Sequence, residues 1–337
     1  MAKVLVTGGT GQVGGFVCRE LANRGHEVVV YDVNPNMQNL VGVRNVKVVN
    51  GDTVDIEELM GAIRRSRATH LVHLAAMVVI ESKERPAKAS KVNCIGMVNV
   101  LEAGRILDLE RIVFASSITV YGGPKAYPAM VVDEDDFPQC PADPYSVTKF
   151  MNEKYGEYYH DAYGLDLLCL RIAAAWGPGR YTGYTGQFNS FVRDVATGKS
   201  AKFPEDFAYS GAKLRWLYVK DVARAFVHGI EVEEKSIKRS VYNLGNNEPF
   251  KAADVVEGLT NILPDSVIGF EETREPTRIS AGIAGTSGLD VECGRLYEDL
   301  GFREELGLRG GLRDMVQFER SKAGLPPIGA WAGRKGR

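Results

Sequence analysis

Short apolar runs alternate with amphipathic stretches along the first half of the chain. KVLVTG at 3–8 precedes a stretch of helical periodicity from 14 to 24, and EVVVYD at 27–32 follows it. Such runs, apolar on both faces and separated by helices, are typical of a parallel sheet covered on each side. The pattern predicts a doubly wound parallel α/β sheet, whose further strands are VKVVNGD (46–52), THLVHLAA (69–76), RIVFASS (111–117) and DLLCLRIA (166–173).

The rhythm loosens after about residue 175. WGPGRYTGYTGQ, rich in glycine and aromatic residues, leads into a predicted helix at 187–198. Strand-like LRWLYV (214–219), a helix at 221–232 and SVYNLG (240–245) follow. We predict a sheet core over 1–175 and a smaller mixed lobe over 176–330, interleaved with the core because 215–245 returns to the sheet.

Composition and charge narrow the class of protein. The 337 residues are 45% apolar and 25% charged, with a net charge of −2, as in soluble globular proteins and without a basic face for nucleic acid. No run is long and apolar enough to cross a bilayer, and the first strand begins without a signal peptide. Five scattered cysteines without a CxxC pair predict reduced thiols and no metal site. We expect a cytoplasmic protein that acts on a small molecule, with no nucleic-acid or membrane partner.

A glycine-rich turn joins the first strand to the first helix. Gly8, Gly11 and Gly14 in VLVTGGTGQVGG permit a tight turn that brings a pyrophosphate to the helix N-terminus, although a plain strand–helix loop has similar spacing. Asp32 ends the second strand, where a carboxylate binds the adenosine ribose, and no arginine follows it. This predicts NAD rather than NADP. Asp52, after the third strand, is either an adenine ligand or a turn former.

DPYSVTKF at 143–150 places a tyrosine and a lysine one helical turn apart. Asp143 suits the N-cap and Pro144 the first helical position, so Tyr145 and Lys149 share one face. A nearby ammonium, the helix N-terminus and a nicotinamide cation all favour the phenolate. Tyr145 is therefore a candidate base for a substrate hydroxyl, Lys149 a ligand of the nicotinamide ribose, and a serine of ASS (115–117) a substrate ligand. Such a pair is also common on solvated helix faces.

Several motifs together resemble a known family. TGGTGQVGG, HLAA, FASSITVYGG, PYSVTK, LRIAAAWGPG and LRWLYVKDVARA occur in the order found in extended short-chain dehydrogenases/reductases. The branch is the NAD-dependent epimerase/dehydratase family, which implies a Rossmann fold, NAD and a homodimer formed through two helices of each subunit. The resemblance runs from about residue 3 to 250.

The resemblance also implies roles for matching residues. Ser117 joins Tyr145 and Lys149 as the catalytic set, and Arg215 and Gln187 fall where relatives contact a nucleotide sugar. The cofactor ligands that it implies are Gly8, Gly11, Gln12, Val13, Gly14, Asp32, Asp52, Thr53, Leu74, Ala75, Ala76, Asn93, Tyr145 and Lys149.

Departures from the family pattern concern the substrate. Ala174 stands where relatives have a nucleotide-sugar-binding asparagine, and SSITV lacks the acid pair of the dehydratases. We therefore predict NAD-dependent oxidation and reduction of a secondary alcohol on a sugar or sugar-like polyol, with UDP-sugars bound poorly. The ketone is either reduced again, as in an epimerase, or released, as in a plain dehydrogenase. The alternative outside enzymes is a regulatory protein that holds NAD.

Overall fold

A seven-stranded parallel sheet forms the centre of the chain, in the order β3-β2-β1-β4-β5-β7-β11. The computed structural model describes residues 1–122, 127, 131–138, 143–210, 213–272 and 289–329. The strand order reverses between β1 and β4, so the carboxyl ends of these strands open a crevice. The strands of this sheet are β1 (Lys3–Thr7), β2 (Glu27–Asp32), β3 (Val46–Asn50), β4 (His70–His73), β5 (Arg111–Ser117), β7 (Leu167–Ile172) and β11 (Val241–Leu244). The doubly wound parallel fold is confirmed.

Helices cover both faces of this sheet. The helices are α1 (Gln12–Asn23), α2 (Ile56–Ser66), α3 (Val79–Glu84), α4 (Pro86–Ser90), α5 (Gly96–Ile106), α6 (Pro144–Tyr163), α7 (Tyr184–Ala196), α8 (Val219–Glu231), α9 (Ala252–Ile262), α10 (Gly294–Asp299) and α11 (Gly307–Lys322). Val4 and Val6 of β1 pack into the core with α1 and α8, whereas Leu5 packs into the core with α2 and α5. Alternate residues of one strand thus fill opposite cores, which is why the runs are apolar throughout.

A second, aromatic core lies in the C-terminal half. Trp176, Phe188 and Trp216 pack in it against residues of α9 and α11. Short strands join this part: β8 (Ala175–Trp176) pairs with β10 (Leu217–Tyr218), β9 (Ala201–Lys202) with β12 (Ile268–Gly269), and β6 (Val131–Val132) with β13 (Asp290–Val291). Within 215–245, α8 packs on the sheet and β11 joins it, whereas β10 lies outside it. The boundary at residue 175 stays a prediction.

Local sequence signals explain where α6, the helix that contains Tyr145, begins. The Asp143 side chain accepts a hydrogen bond from the Ser146 backbone N–H at 3.1 Å, and Pro144 is the first residue of α6. The capped start confirms the helix that the sequence predicts there. Farther upstream, α4, a π-helical turn at Lys91–Ile95 and α5 follow one another without a break in the chain.

The structure also tests the predictions about cysteines, membrane spans and metal sites. Cys18, Cys94, Cys169 and Cys293 are buried free thiols, and Cys140 lies outside the described residues. Within the described ranges, no helix has both the length and the apolar character needed to span a bilayer. Those same ranges contain no group of acidic, histidine or cysteine side chains suited to a metal ion.

Candidate active site

Two glycines of the glycine-rich turn, Gly8 and Gly14, have no room for a side chain. Gly8 has φ of +66°, and a Cβ on it would lie 2.7 Å from the Ala75 backbone nitrogen. A Cβ on Gly14 would lie 2.2 Å from the Gly8 carbonyl oxygen. No side chain caps α1 at its N-cap Gly11, and no acid lies in its first turn, so the first N–H groups are free for an anion.

A cleft of about 610 Å³ opens beside this turn at the carboxyl edge of the sheet. Its size and position suit the adenosine half of a dinucleotide, because ligands of such sheets bind where the strand order reverses. The predicted cofactor residues that line the cleft are Gly8, Gly11, Asp32, Asp52, Thr53, Leu74, Ala75 and Ala76.

A threonine that the sequence analysis did not single out orients Asp32. The Thr10 backbone N–H and hydroxyl donate to Asp32 Oδ2 at 3.1 Å and 2.6 Å, and the Asn34 N–H donates to Oδ1 at 3.2 Å. A carboxylate has about four acceptor positions, so Asp32 keeps acceptor capacity toward the cleft. These residues fit a pyrophosphate at α1 and ribose hydroxyls at Asp32, as NAD requires.

Asp52 serves as a turn former and also faces the cleft. Its Oδ1 accepts a hydrogen bond from the Val54 N–H at 3.0 Å, and the residue lines the cleft beside Thr53. Both readings of the sequence are therefore compatible with the structure, and the adenine contact stays a prediction.

Other predicted cofactor ligands have protein partners instead. Gln12 Nε2 donates to the Gly177 and Pro178 carbonyls at 2.9 Å and 3.1 Å, tying the glycine turn to the loop after β8. Asn93 is buried, and its side chain bonds the Met77 backbone and the Thr148 hydroxyl. The structure thus gives these two side chains positioning roles, and their contact with the dinucleotide stays a prediction. Val13 and Gly14 offer backbone N–H groups in the first turn of α1.

Three elements bring the predicted catalytic residues together. Ser117 ends β5, Tyr145 lies in the first turn of α6, and Lys149 follows one turn later. The Ser117 side chain comes close enough to the Tyr145 phenol to lower its pKa. The Ser117 hydroxyl also accepts from the Thr119 N–H at 3.2 Å, which fixes its orientation. The phenol and the serine hydroxyl are thus placed to hold one substrate oxygen between them.

Lys149 is buried beneath the tyrosine. Its Nζ lies 5.6 Å from the centre of the Tyr145 ring and donates to the Ala115 carbonyl at 2.8 Å. Burial lowers the pKa of Lys149 to about 8, against the opposing effect of Glu153 and neighbouring thiols.

In the protein without cofactor, burial outweighs the effect that the sequence predicts for Lys149 on the phenol. Burial raises the pKa of Tyr145 to about 12, and the Ser117 side chain and the charge of Arg180 oppose this increase. The lysine ammonium instead donates to a backbone carbonyl. Lowering this pKa therefore depends on the positive charge that the cofactor brings.

The sequence analysis did not find the buried ion pair that lies beneath the catalytic set. Glu153 lies one turn after Lys149. Its carboxylate accepts hydrogen bonds from Nε and Nη2 of Arg171 at 2.9 Å and 2.7 Å. Their side chains are only 1% and 6% exposed, so this bidentate pair ties α6 to β7. The only signal in the sequence is the continuation of the Tyr145–Lys149 spacing by one more turn.

The two predicted substrate ligands have different surroundings in the structure. Arg215 already has a carboxylate partner, because its Nε bonds Asp290 Oδ1 at 3.0 Å, while Lys213 bonds Oδ2 at 2.6 Å. A phosphate-binding role for Arg215 would require that pair to open. Gln187 is exposed on α7, and its contact with a substrate stays a prediction. The buried amide on that helix is Asn189, two residues later.

Comparison with known proteins places these features in a family. A family model described as the NAD dependent epimerase/dehydratase family matches residues 4–245. UDP-glucose 4-epimerase of Mycolicibacterium smegmatis is 30% identical over 95% of this chain and 99% of its own length. UDP-glucuronate 4-epimerase 4 of Arabidopsis thaliana is 31% identical over 75% of this chain, and the match spans only 62% of the plant protein.

Solved structures share the same architecture. UDP-glucose 4-epimerase of Thermotoga maritima, solved with UDP-glucose, has a TM-score of 0.76 and 25% identity over 95% of this chain and 99% of its own. L-threonine dehydrogenase of Clostridium difficile has a TM-score of 0.83 over 97% and 99% of the two chains, and its 21% identity supports the fold alone.

Proposed function

The chain belongs to the NAD-dependent epimerase/dehydratase family, and we propose that this enzyme oxidises a secondary alcohol of a sugar or sugar-like polyol with Tyr145 as the base. The observation that carries the proposal is the position of Tyr145. Its residue opens α6 beside Ser117, which ends β5 at the carboxyl edge of the sheet that also forms the dinucleotide cleft.

Each member of the catalytic set has a distinct role in this proposal. NAD, when bound in the cleft, supplies the acceptor for the hydride of the carbinol carbon. Ser117 orients the substrate hydroxyl, and Tyr145 takes its proton as general base. Lys149 binds the nicotinamide ribose, which requires its ammonium to leave or share the Ala115 carbonyl. Gln12 and Asn93 position the loops around the cofactor.

Two fates of the ketone remain within this proposal. Reduction on its other face returns the hydride and makes the reaction an epimerisation. Release of the ketone with reduced NAD makes the enzyme a dehydrogenase. Both use the same residues, so the assay rather than the site distinguishes them.

A second candidate is a UDP-sugar 4-epimerase, which the names of the relatives favour. Two features of this chain oppose it. Ala174 has no polar side chain for a nucleotide sugar, and the Arg215 guanidinium is paired with Asp290. We therefore favour a substrate without a nucleotide diphosphate.

The proposed function is tested by incubating the enzyme with NAD and a panel of sugars, polyols, sugar acids and UDP-hexoses. Absorbance of reduced NAD reports a dehydrogenase, and nuclear magnetic resonance of the products reports an epimerase. Oxidation or epimerisation of a non-nucleotide alcohol that is lost in Tyr145→Phe supports the proposal. Micromolar binding and turnover of a UDP-hexose would instead establish the second candidate.

We also propose that the enzyme is a homodimer that pairs through α5 and α6. Exposed apolar and aromatic side chains support this interface. Ile106 of α5 is 43% exposed, and Val147 and Tyr158 of α6 are 51% and 57% exposed. A second copy of these helices would cover them.

A further inference from the structure

Helix α6 is joined to the end of β5 by two buried side chains that follow the tyrosine along the helix. Lys149 and Glu153 are four residues apart, so both face the sheet from successive turns of α6. The Lys149 ammonium donates to the Ala115 carbonyl at 2.8 Å, and the Ser116 hydroxyl donates to Glu153 Oε1 at 2.5 Å. These two bonds hold the two residues of β5 that directly precede the predicted catalytic serine.

The Glu153 carboxylate is held on its other side by Arg171 of β7, whose own guanidinium is fixed. Besides its two bonds to Glu153, Arg171 donates from Nη1 to the Tyr121 hydroxyl at 2.7 Å, and its guanidinium carbon lies 4.8 Å from the centre of the Tyr121 ring. The Tyr121 hydroxyl donates in turn to the Asp133 carbonyl at 2.7 Å. Ser116, Glu153 and Arg171 are all buried, so their bonds are shielded from solvent. The carboxylate therefore has one fixed place relative to β5 and β7.

Helix α6 and strand β5 also approach each other closely one turn farther along the helix. A Cβ on Gly156 would lie 3.2 Å from the Phe114 ring, so glycine allows this approach. Phe114 and Ser116 are two residues apart on β5 and lie on its face toward α6. Ser117 is the next residue, and the planar peptide between them passes any displacement of Ser116 on to Ser117. The contact between helix and strand thus sets where the Ser117 hydroxyl lies relative to α6.

Binding of the cofactor makes the Glu153 contact the more important of the two. In the proposed function Lys149 binds the nicotinamide ribose, and its ammonium leaves or shares the Ala115 carbonyl. The bond between Ser116 and Glu153 involves neither NAD nor substrate, so it remains when Lys149 turns to the ribose.

We propose that Glu153 is a positioning residue for the reaction, which acts through Ser116 to keep the catalytic serine at a fixed distance from the phenol. It touches neither substrate nor cofactor in the proposed function, on which the inference rests. Its effect falls on the arrangement of the reacting groups, where a misplacement of about 1 Å costs about a hundredfold in rate.

The test removes the Ser116 hydroxyl and leaves the ion pair in place. Ser116→Ala is preferred to Glu153→Gln, because loss of the carboxylate charge would leave the buried Arg171 unpaired and destabilise the fold. Ser116→Thr keeps a hydroxyl on the same carbon. The matched control is Asp166→Asn, because Asp166 pairs with Arg111 at 2.8 Å and so joins the same two strands, β5 and β7, at their opposite ends.

Two quantities are measured on each variant with saturating NAD. The first is kcat and KM for galactose, sorbitol and gluconate, compared on the alcohol that the wild type oxidises fastest. The second is the pH at which the ultraviolet spectrum shows the Tyr145 phenolate, with Tyr145→Phe as the blank. This second quantity needs no substrate, so it tests the inference by itself.

We expect Ser116→Ala to lower kcat about ten- to a hundredfold with little change in KM. Its phenolate should form at higher pH than in the wild type, because the Ser117 side chain that lowers the pKa of Tyr145 is displaced. Ser116→Thr should retain most of the wild-type kcat. Asp166→Asn should match the wild type in both quantities, although it should unfold at a lower temperature.

Three results would count against the inference. Wild-type kcat and an unchanged phenolate titration in Ser116→Ala would overturn it. An equal loss in Asp166→Asn would attribute the effect to general support of the two strands. A Ser116→Thr variant as slow as Ser116→Ala would show that the hydroxyl is not responsible. Failure of the proposed function is recognised separately, by unchanged turnover in Tyr145→Phe.

Discussion

Replacing Tyr145 by phenylalanine removes the phenolic oxygen and leaves the ring. We expect turnover of the true substrate to fall by about 10²–10⁴-fold, the usual contribution of a general base, which is about 3–5 kcal/mol of barrier. NAD affinity should change little, because the cleft residues and Lys149 remain. The loss should therefore fall on kcat rather than on cofactor binding.

The magnitude can be followed from the environment of the phenol. With a pKa of about 12 in the protein alone, about one phenol in 10⁵ is ionised at pH 7. That scarcity corresponds to about 7 kcal/mol, at about 1.4 kcal/mol for each pKa unit. Bound NAD adds a positive charge and so must lower this pKa for the base to work. Since ionisation of Tyr145 activates it, the rate should rise with pH, with an apparent pKa below the ordinary phenol value of about 10.

The assay is the pH dependence of kcat at saturating NAD, together with the ultraviolet difference spectrum of phenolate on addition of NAD. Both signals should be present in the wild type and absent in Tyr145→Phe. Tyr163→Phe, which changes an exposed tyrosine at the end of α6, is the matched control and should retain both. In Lys149→Met the rise of kcat with pH should move to higher pH, because a cation near the ring is lost.

Near-wild-type turnover by Tyr145→Phe would refute the assignment of the base. If kcat of the wild type with NAD bound rises only near pH 12, the electrostatic reasoning would be refuted even if Tyr145→Phe were inactive.

Further predictions concern the cofactor, the substrate and the assembly. Asp32 should repel a 2′-phosphate, so calorimetry should give far tighter binding of NAD than of NADP, and equal dissociation constants would contradict the role of this carboxylate. Asp290→Asn should free Arg215 and improve the binding of UDP-glucose, whereas unchanged weak binding would show that the ion pair is not what excludes nucleotide sugars. Light scattering should give twice the chain mass of 36.9 kDa, and Tyr158→Lys should give monomers; a monomeric wild type would dismiss the α5–α6 interface.

Features that depend on residues close together along the chain were determined by the sequence alone. The spacing of Gly8, Gly11 and Gly14 specifies a tight turn, and the structure shows the reason in the close approach of Ala75 to Gly8 and of the Gly8 carbonyl to Gly14. Asp143 and Pro144 specify the start of α6, and hence the shared face of Tyr145 and Lys149. Alternation of apolar runs and helices was sufficient to predict the parallel sheet, because burial on both faces follows from that pattern.

The pairing of charges was decided only by the tertiary structure. Arg215 is paired with Asp290, which it shares with Lys213, and Arg180 is left without a carboxylate partner among the described residues, although both are arginines in the same half of the chain. Burial likewise has the largest effect on the pKa of Tyr145, and the spacing of residues along α6 does not reveal it. Ion pairing and desolvation depend on atoms brought together from distant positions, so neither is encoded in the spacing of residues along one segment.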